Sequence, residues 1–351
     1  MQGFLMGPKF EANLHYVLRQ IYVFGRMFTT EPCDMIYGLL ALASDTQKLG
    51  ITSDYSLKEQ PELIYTRTAR AVIKDGGVDL LQLSQYPKYY RDLPSWVPDW
   101  NSNLKPSFAG DMIDFFAASG NTEVSILERR DERTLALKGI PIDGIEEVGG
   151  PWDGIYGETE KKSSRCLTYL AQIKHLCELS SAKDNPLYHN KRRRNESYWR
   201  VPIGDIESTQ QATDGRATAA MEEAYTKVLE FREWVIQCDL MTEDVFEKDV
   251  IGRLEEEKAF QTSRDCRTAY EGRMYKMIGK RPFMTNHGYV GMGPRFTLRG
   301  DVVVIFFGAR LPYVLRPLPD GMYRLLGEAY CDGIMDGEGV DRGIPETFLL
   351  V

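Results

Sequence analysis

Asp332, Asp336, Glu338 and Asp341 bring four carboxylates close together near the end of the chain, oxygen ligands of the kind a hard cation takes. Their spacing matches no calcium loop, and Gly333, Gly337, Gly339 and Gly343 among them favour a solvated, turning segment. Lys191-Arg192-Arg193-Arg194 is the dense basic run. It reads as an anion contact, a nuclear-import signal, or a solvated loop patch salt-bridged to an acidic helix. Trp96, Asp99 and Trp100 offer two indoles and a carboxylate that would either line a pocket or plug a junction between two units. Nucleophilic and metal chemistry find less support. His15, His175, His189 and His287 are dispersed, and neither His-Glu-x-x-His nor Gly-x-Ser-x-Gly occurs. Gly291-Met292-Gly293-Pro294-Arg295-Phe296 ends in Phe where a dinucleotide loop needs Gly or Ala, and Pro294 removes an amide donor. Gly279-Lys280 is followed by Arg281 instead of Ser or Thr, so glycines of tight β-turns account for both stretches. No catalytic, cofactor-binding or metal-binding residue is assigned on these grounds, and no cofactor is expected.

Composition narrows the function classes further. A net charge of −8 speaks against nucleic-acid binding, which needs a basic face, and leaves other proteins as the expected partners. Hydrophobic content of 43% and aromatic content of 11% suffice for packed cores. Cys33, Cys166, Cys177, Cys238, Cys266 and Cys331 form no Cys-x-x-Cys pair, the pattern of buried, reduced thiols in an intracellular protein. The N-terminus lacks the apolar core of a signal peptide, and no run approaches the ~20 apolar residues of a membrane helix. A cytoplasmic protein is expected, or a nuclear one if Lys191–Arg194 acts as an import signal.

The elements that must position these residues follow from periodicity. Residues 10–43 read as helices, with Leu14, Val17, Leu18, Ile21 and Tyr22 at helical spacing and Ile36, Leu39, Leu40 and Ala43 repeating it. A further helix starts near Pro61 and stops at Gly76-Gly77. Glu123–Glu128 and Thr134–Lys138 form a hairpin pattern, extended by Ile140, Ile142, Ile145 and Val148. Helical stripes run through Leu167–Leu179, Ala217–Cys238 and Val245–Ile278, with a polar loop over Asp184–Thr213 between the first two. Strands return at Val302–Phe307, Tyr313–Leu315 and Met322–Tyr330. Neither β region makes a stable sheet alone. The fold expected is therefore α+β: a helical N-terminal unit (1–105), one small antiparallel, barrel-like sheet built from residues 106–150 and 281–340, and a helical insertion (151–280) between them.

Leu93-Pro94-Ser95-Trp96-Val97-Pro98-Asp99-Trp100 stands apart from this pattern. Its prolines fix an extended strap and its indoles pin that strap to a core. Upstream lie Asp34-Met35-Ile36-Tyr37-Gly38-Leu39-Leu40-Ala41-Leu42-Ala43 and Ile51-Thr52-Ser53-Asp54-Tyr55. That order resembles the C-terminal blocks of the fungal heterokaryon-incompatibility (HET) domain. Ser197-Tyr198-Trp199-Arg200-Val201-Pro202-Ile203-Gly204-Asp205 is similar to a block that follows many such domains, with Val-Pro in place of Thr-Leu. The likeness continues through Gly288-Tyr289-Val290-Gly291-Met292-Gly293-Pro294, Gly300-Asp301-Val302-Val303-Val304, Pro312-Tyr313-Val314-Leu315-Arg316-Pro317, Gly327-Glu328-Ala329-Tyr330 and Gly333–Glu338.

The family's N-terminal Trp-Gly and Trp-Ile-Asp-x-x-Cys-Ile-Asn-Gln blocks are not found, and no Trp precedes Trp96. The resemblance implies a role in fungal self/non-self recognition and incompatibility cell death, here as a non-catalytic regulatory or scaffold part. Through a relation of the HET fold to TIR folds it also implies an alternative, an NAD- or nucleotide-cleaving enzyme, whose site would draw on the missing blocks. An inert truncated remnant is the third reading.

Overall fold

A computed structural model describes residues 12–25, 27, 29–154, 159–207, 215–240 and 250–351. The strand that organises it is long and amphipathic. Ile126–Leu127 (β1) turns back onto Leu135–Val148 (β2), which pairs with different partners along its length. The other strands are Ile206–Glu207 (β3), Gly215–Arg216 (β4), Lys280–Thr285 (β5), Val290–Pro294 (β6), Val302–Phe306 (β7), Tyr313–Pro317 (β8), Tyr323–Glu328 (β9), Tyr330–Cys331 (β10) and Glu346–Leu350 (β11). β2 meets β11 over residues 135–139, β7 over 139–144 and β5 over 145–148, all antiparallel. The two β regions read from sequence therefore share one sheet of nine strands.

The pairing path closes on itself through β2, β11, β9, β8 and β7. Its weakest join is β11 to β9, a parallel contact through the single pair Leu350–Tyr323. β7 shows why the sheet holds: Val304 and Phe306 enter a core shared with the N-terminal helices, while Val303 and Ile305 enter a second core on the other face. Two-residue alternation delivers apolar side chains to both faces.

The helices are Leu14–Arg19 (α1), Asp34–Tyr37 (α2), Thr46–Leu49 (α3), Pro61–Lys74 (α4), Glu160–Ser180 (α5), Lys191–Arg200 (α6), Ala219–Leu240 (α7), Val250–Thr262 (α8) and Arg264–Lys276 (α9). Pro61 opens α4, Ile64, Tyr65, Ala69, Val72 and Ile73 face inward, and Gly76 lies just beyond its end at a φ of +104°. α5, α6, α7 and α9 enclose a third core around Trp152, Trp199, Val228 and Tyr270. Among the described residues no helix is long and apolar enough to cross a membrane.

Several expectations are corrected. Asp34–Ala43 is no continuous helix; α2 ends at Gly38 and a separate 3-10 turn covers Leu40–Leu42. The loop expected over Asp184–Thr213 contains α6. Asn190 caps it by accepting from the Arg192 and Arg193 amides, and Ser197 and Trp199 form its narrow buried face. So polar a helix shows almost no apolar stripe in sequence. β5 and β6 are strands despite Pro282 and the glycines, and β11 lies beyond the expected limit of the sheet at 340. Residues 208–213 of that loop and 245–249 of the third stripe lie outside the described residues.

The strap over Leu93–Trp100 is buried as its composition requires, with Trp96 0% and Trp100 1% exposed. Trp100 packs edge-on to Tyr65 at 5.0 Å, and Trp96 Nε1 donates to the Arg133 carbonyl at 2.9 Å. Replacing Trp100 by Ala should cost ~3–5 kcal/mol, as emptying a large core site does. Urea denaturation of Trp100→Ala beside the parent chain measures this, and an unchanged midpoint would refute the structural role.

Candidate functional site

Three constellations singled out by residue type turn out to be internal fittings. Asp99, fully buried, accepts hydrogen bonds from the amides of Tyr89, Tyr90 and Asn101 and from Ser102 Oγ. It fixes the loop preceding the strap instead of facing a ligand. The basic run and the carboxylate cluster meet each other. Asp332, buried, accepts from Arg193 at 2.5 Å, Tyr188 Oη at 2.8 Å, Ser197 Oγ at 2.8 Å and Tyr330 Oη at 3.0 Å. The Arg193 guanidinium and these hydroxyls outweigh burial and hold the Asp332 carboxyl below its usual range.

A second network lies close by. Asp205 accepts from Arg200 at 2.6 Å and Arg216 at 2.9 Å, and Arg216 reaches Asp336 at 2.9 Å. Gly204 and Asp205 hold left-handed φ of 63° and 54°. A Cβ at 204 would strike the Phe108 ring at 2.7 Å, so Gly is required there. The four C-terminal carboxylates do not converge, and among the described residues no group of three or more His, Cys, Asp or Glu side chains could hold a metal ion. Lys191–Arg194 is helical rather than a loop patch, with Arg192 paired to Glu196 and Arg193 to Asp332. Gly291 and Gly293 sit in β6 against Phe283, not in a phosphate loop. The histidines stay apart: His287 Nδ1 meets Asp143 at 3.0 Å, and His189 Nε2 meets the Lys183 carbonyl at 2.9 Å. Packing pushes His15 down to about 4.

A roomy cleft lies where the N-terminal unit meets the end of the sheet. Its volume is ≈ 760 Å³, and its walls come from residues 82–89, 101–106, 276–280, 294–296 and 326–328. Glu328 in its wall is buried and receives Lys280 Nζ at 3.0 Å, Ser107 Oγ at 2.5 Å and the Phe108 amide at 3.0 Å. Lys88 donates to the carbonyls of Pro94, Ser95 and Val97 at 2.5, 3.0 and 2.7 Å, tying the cleft wall to the strap. Burial draws its ammonium down to about 7 against the opposing pull of Asp99. Beside the floor, desolvation raises Asp79 to about 6, with the Arg310 amide and Gln82 working against the rise and Glu328 adding to it. Displaced acid and base values in a cleft are what a functional site shows. No local pattern announces these residues, since Asp79 and Lys88 stand more than two hundred positions before Glu328. The one hint in sequence is the aromatic run Tyr86–Tyr90 around Lys88.

The Het-6 beta-barrel domain family matches residues 133–351. The chain is also 32% identical over 384 aligned positions to heterokaryon incompatibility protein 6, OR allele, of Neurospora crassa, which takes in 100% of this chain and 55% of that protein. The chain thus spans little more than half the length of that relative. No solved structure matches it.

The two displaced groups predict opposite pH slopes. Asp79 titrates higher folded (about 6) than unfolded (about 3.8), so the folded chain holds the extra proton and stability falls as pH rises from about 4 to 6. Lys88 titrates lower folded (about 7) than unfolded (about 10.5), so stability rises between about pH 7 and 10. Each unit of separation corresponds to ~1.4 kcal/mol at most. Denaturation across pH should show Asp79→Asn losing the acid slope and Lys88→Met the alkaline one. Removing one partner of the buried pair, Arg193→Ala, should cost ~3–5 kcal/mol in the same assay.

Proposed function

We propose that this chain, which belongs to the Het-6 β-barrel domain family, acts in fungal heterokaryon incompatibility as a non-catalytic regulatory or scaffold part, in the cytoplasm and through other proteins. The relative's name and the alignment along the whole chain support the process. The non-catalytic part of the reading rests on one observation. The buried carboxylates Asp99, Asp205, Glu328 and Asp332 spend their acceptor oxygens on the chain's own amides, hydroxyls and cations. A general acid or base must instead reach the proton it transfers in a bound substrate. A rigid scaffold fits the same facts, because such bonds lock the surface that a partner would meet.

A second reading, cleavage of NAD or another nucleotide, is favoured by Asp79 alone. Its carboxyl, raised to about 6 by desolvation, bonds Gln82 in the lining of the Glu328 cleft. Purified chain incubated with NAD should release no nicotinamide above buffer, followed by chromatography. Turnover abolished by Asp79→Asn or Glu328→Gln would replace the scaffold reading with the enzymatic one. The incompatibility role has its own test. Expressing the chain in an otherwise compatible fungal strain should arrest growth of the transformant, and normal growth at full protein level would count against it.

A further inference from the structure

In an acidic protein the seam cleft carries the opposite charge. Lys88, Lys105, Lys276, Lys280 and Arg295 line it, against the single carboxylate of Glu328, which Lys280 already neutralises. Arg295 is paired with Asp153. Among the described residues Lys105 and Lys276 make no ion pair, and both are exposed. Lys88 meets carbonyl oxygens, not an anion, at its ammonium. Like charges gathered in a concave wall focus field into it and repel one another unless an anion enters.

Two further observations shape the occupant. Tyr89, edge-on to Tyr90 at 5.0 Å, and Phe296 also line the cleft and remain 68% and 49% exposed. The volume falls in the range of small-molecule sites, ~300–1,000 Å³. A net charge of −8 disfavours a long polyanion or an acidic membrane, whose field would reach the rest of the surface. Lysines bind phosphate groups as separate point charges.

We propose that this cleft binds a small phosphorylated molecule bearing a flat ring, its phosphates met by Lys105 and Lys276 and its ring by Tyr89 and Phe296. Binding requires no turnover, so the site stands apart from the scaffold reading: an unreacted ligand keeps both, and a cleaved one removes only the scaffold.

Titration calorimetry of the full chain with inorganic tripolyphosphate and with ATP tests the site. Saturable binding of both is expected, weakening as salt is raised. Lys105→Gln with Lys276→Gln should reduce affinity at least tenfold, while Lys161→Gln with Lys191→Gln, outside the cleft, should leave it unchanged. Circular dichroism of both double variants guards against unfolding. ATP should bind more tightly than tripolyphosphate, and Tyr89→Ala with Phe296→Ala should erase that advantage. Absence of saturable binding, or equal loss in the remote pair, overturns the proposal. Equal affinity for the two probes overturns the ring contact.

Discussion

Everything else in the chain depends on how the sheet is closed at its weakest join. β9 and β11 touch through one residue pair, too little to hold two strands in register. The strap supplies what is missing. The Ser95 amide donates to the Val351 carbonyl at 2.9 Å, and Ser95 Oγ accepts from the Leu325 amide at 2.9 Å. Val351 in turn donates to Tyr323 at 3.0 Å. One serine thus satisfies backbone groups on both strands, from within a turn that the Val97 amide closes onto the Pro94 carbonyl at 3.1 Å rather than from the extended strap expected. Trp96 and Trp100 anchor the strap from the other side, in the core that the N-terminal helices share with β2, β7, β8 and β11. The helical unit and the sheet are therefore mutually dependent, and neither closes its apolar surface alone.

The ionic networks serve a different purpose. Asp332 and Asp205 lie in the middle of contacts among α6, the 3-10 turn after it and the strands near β10, where a charge is costly to bury. Such pairs rarely add stability over an apolar packing of the same shape. What they add is geometry: a carboxylate with four donors accepts only one arrangement of the helices around it. α6, with little apolar surface of its own, is placed by Arg193, Ser197 and Trp199 rather than by a hydrophobic stripe.

That contrast explains what was legible in the sequence. The strap, α4 and β7 announce themselves, because proline geometry and apolar periodicity are local properties of consecutive residues. The α+β class and the pairing of two distant β regions follow from the same local signs plus the instability of small sheets. α6 was hidden because its fixation comes from partners more than a hundred residues away, Asp332 above all. β11 was hidden because Glu346, Thr347 and an otherwise polar tail mask the buried Phe348 and Leu350. The seam cleft left only the aromatic run Tyr86–Tyr90 as a hint: Asp79, Lys88, Lys280 and Glu328 acquire their roles only when the 3-10 turn at Val78–Leu83 is laid against β9.

The position of that cleft is not incidental to the closure of the sheet. Lys88 bonds three carbonyls of the strap while Asp99, from the strap's far end, accepts from the amides of Tyr89 and Tyr90. Glu328, across the opening, ends the β9 strand that Ser95 secures. The wall of the cleft and the buckle of the sheet are consequently the same set of residues. The Lys88 ammonium is committed to the strap carbonyls, so the side chain that fastens the buckle also forms part of the cleft wall. Any anion drawn there meets a wall already rigid, and binding it requires little reordering of the chain.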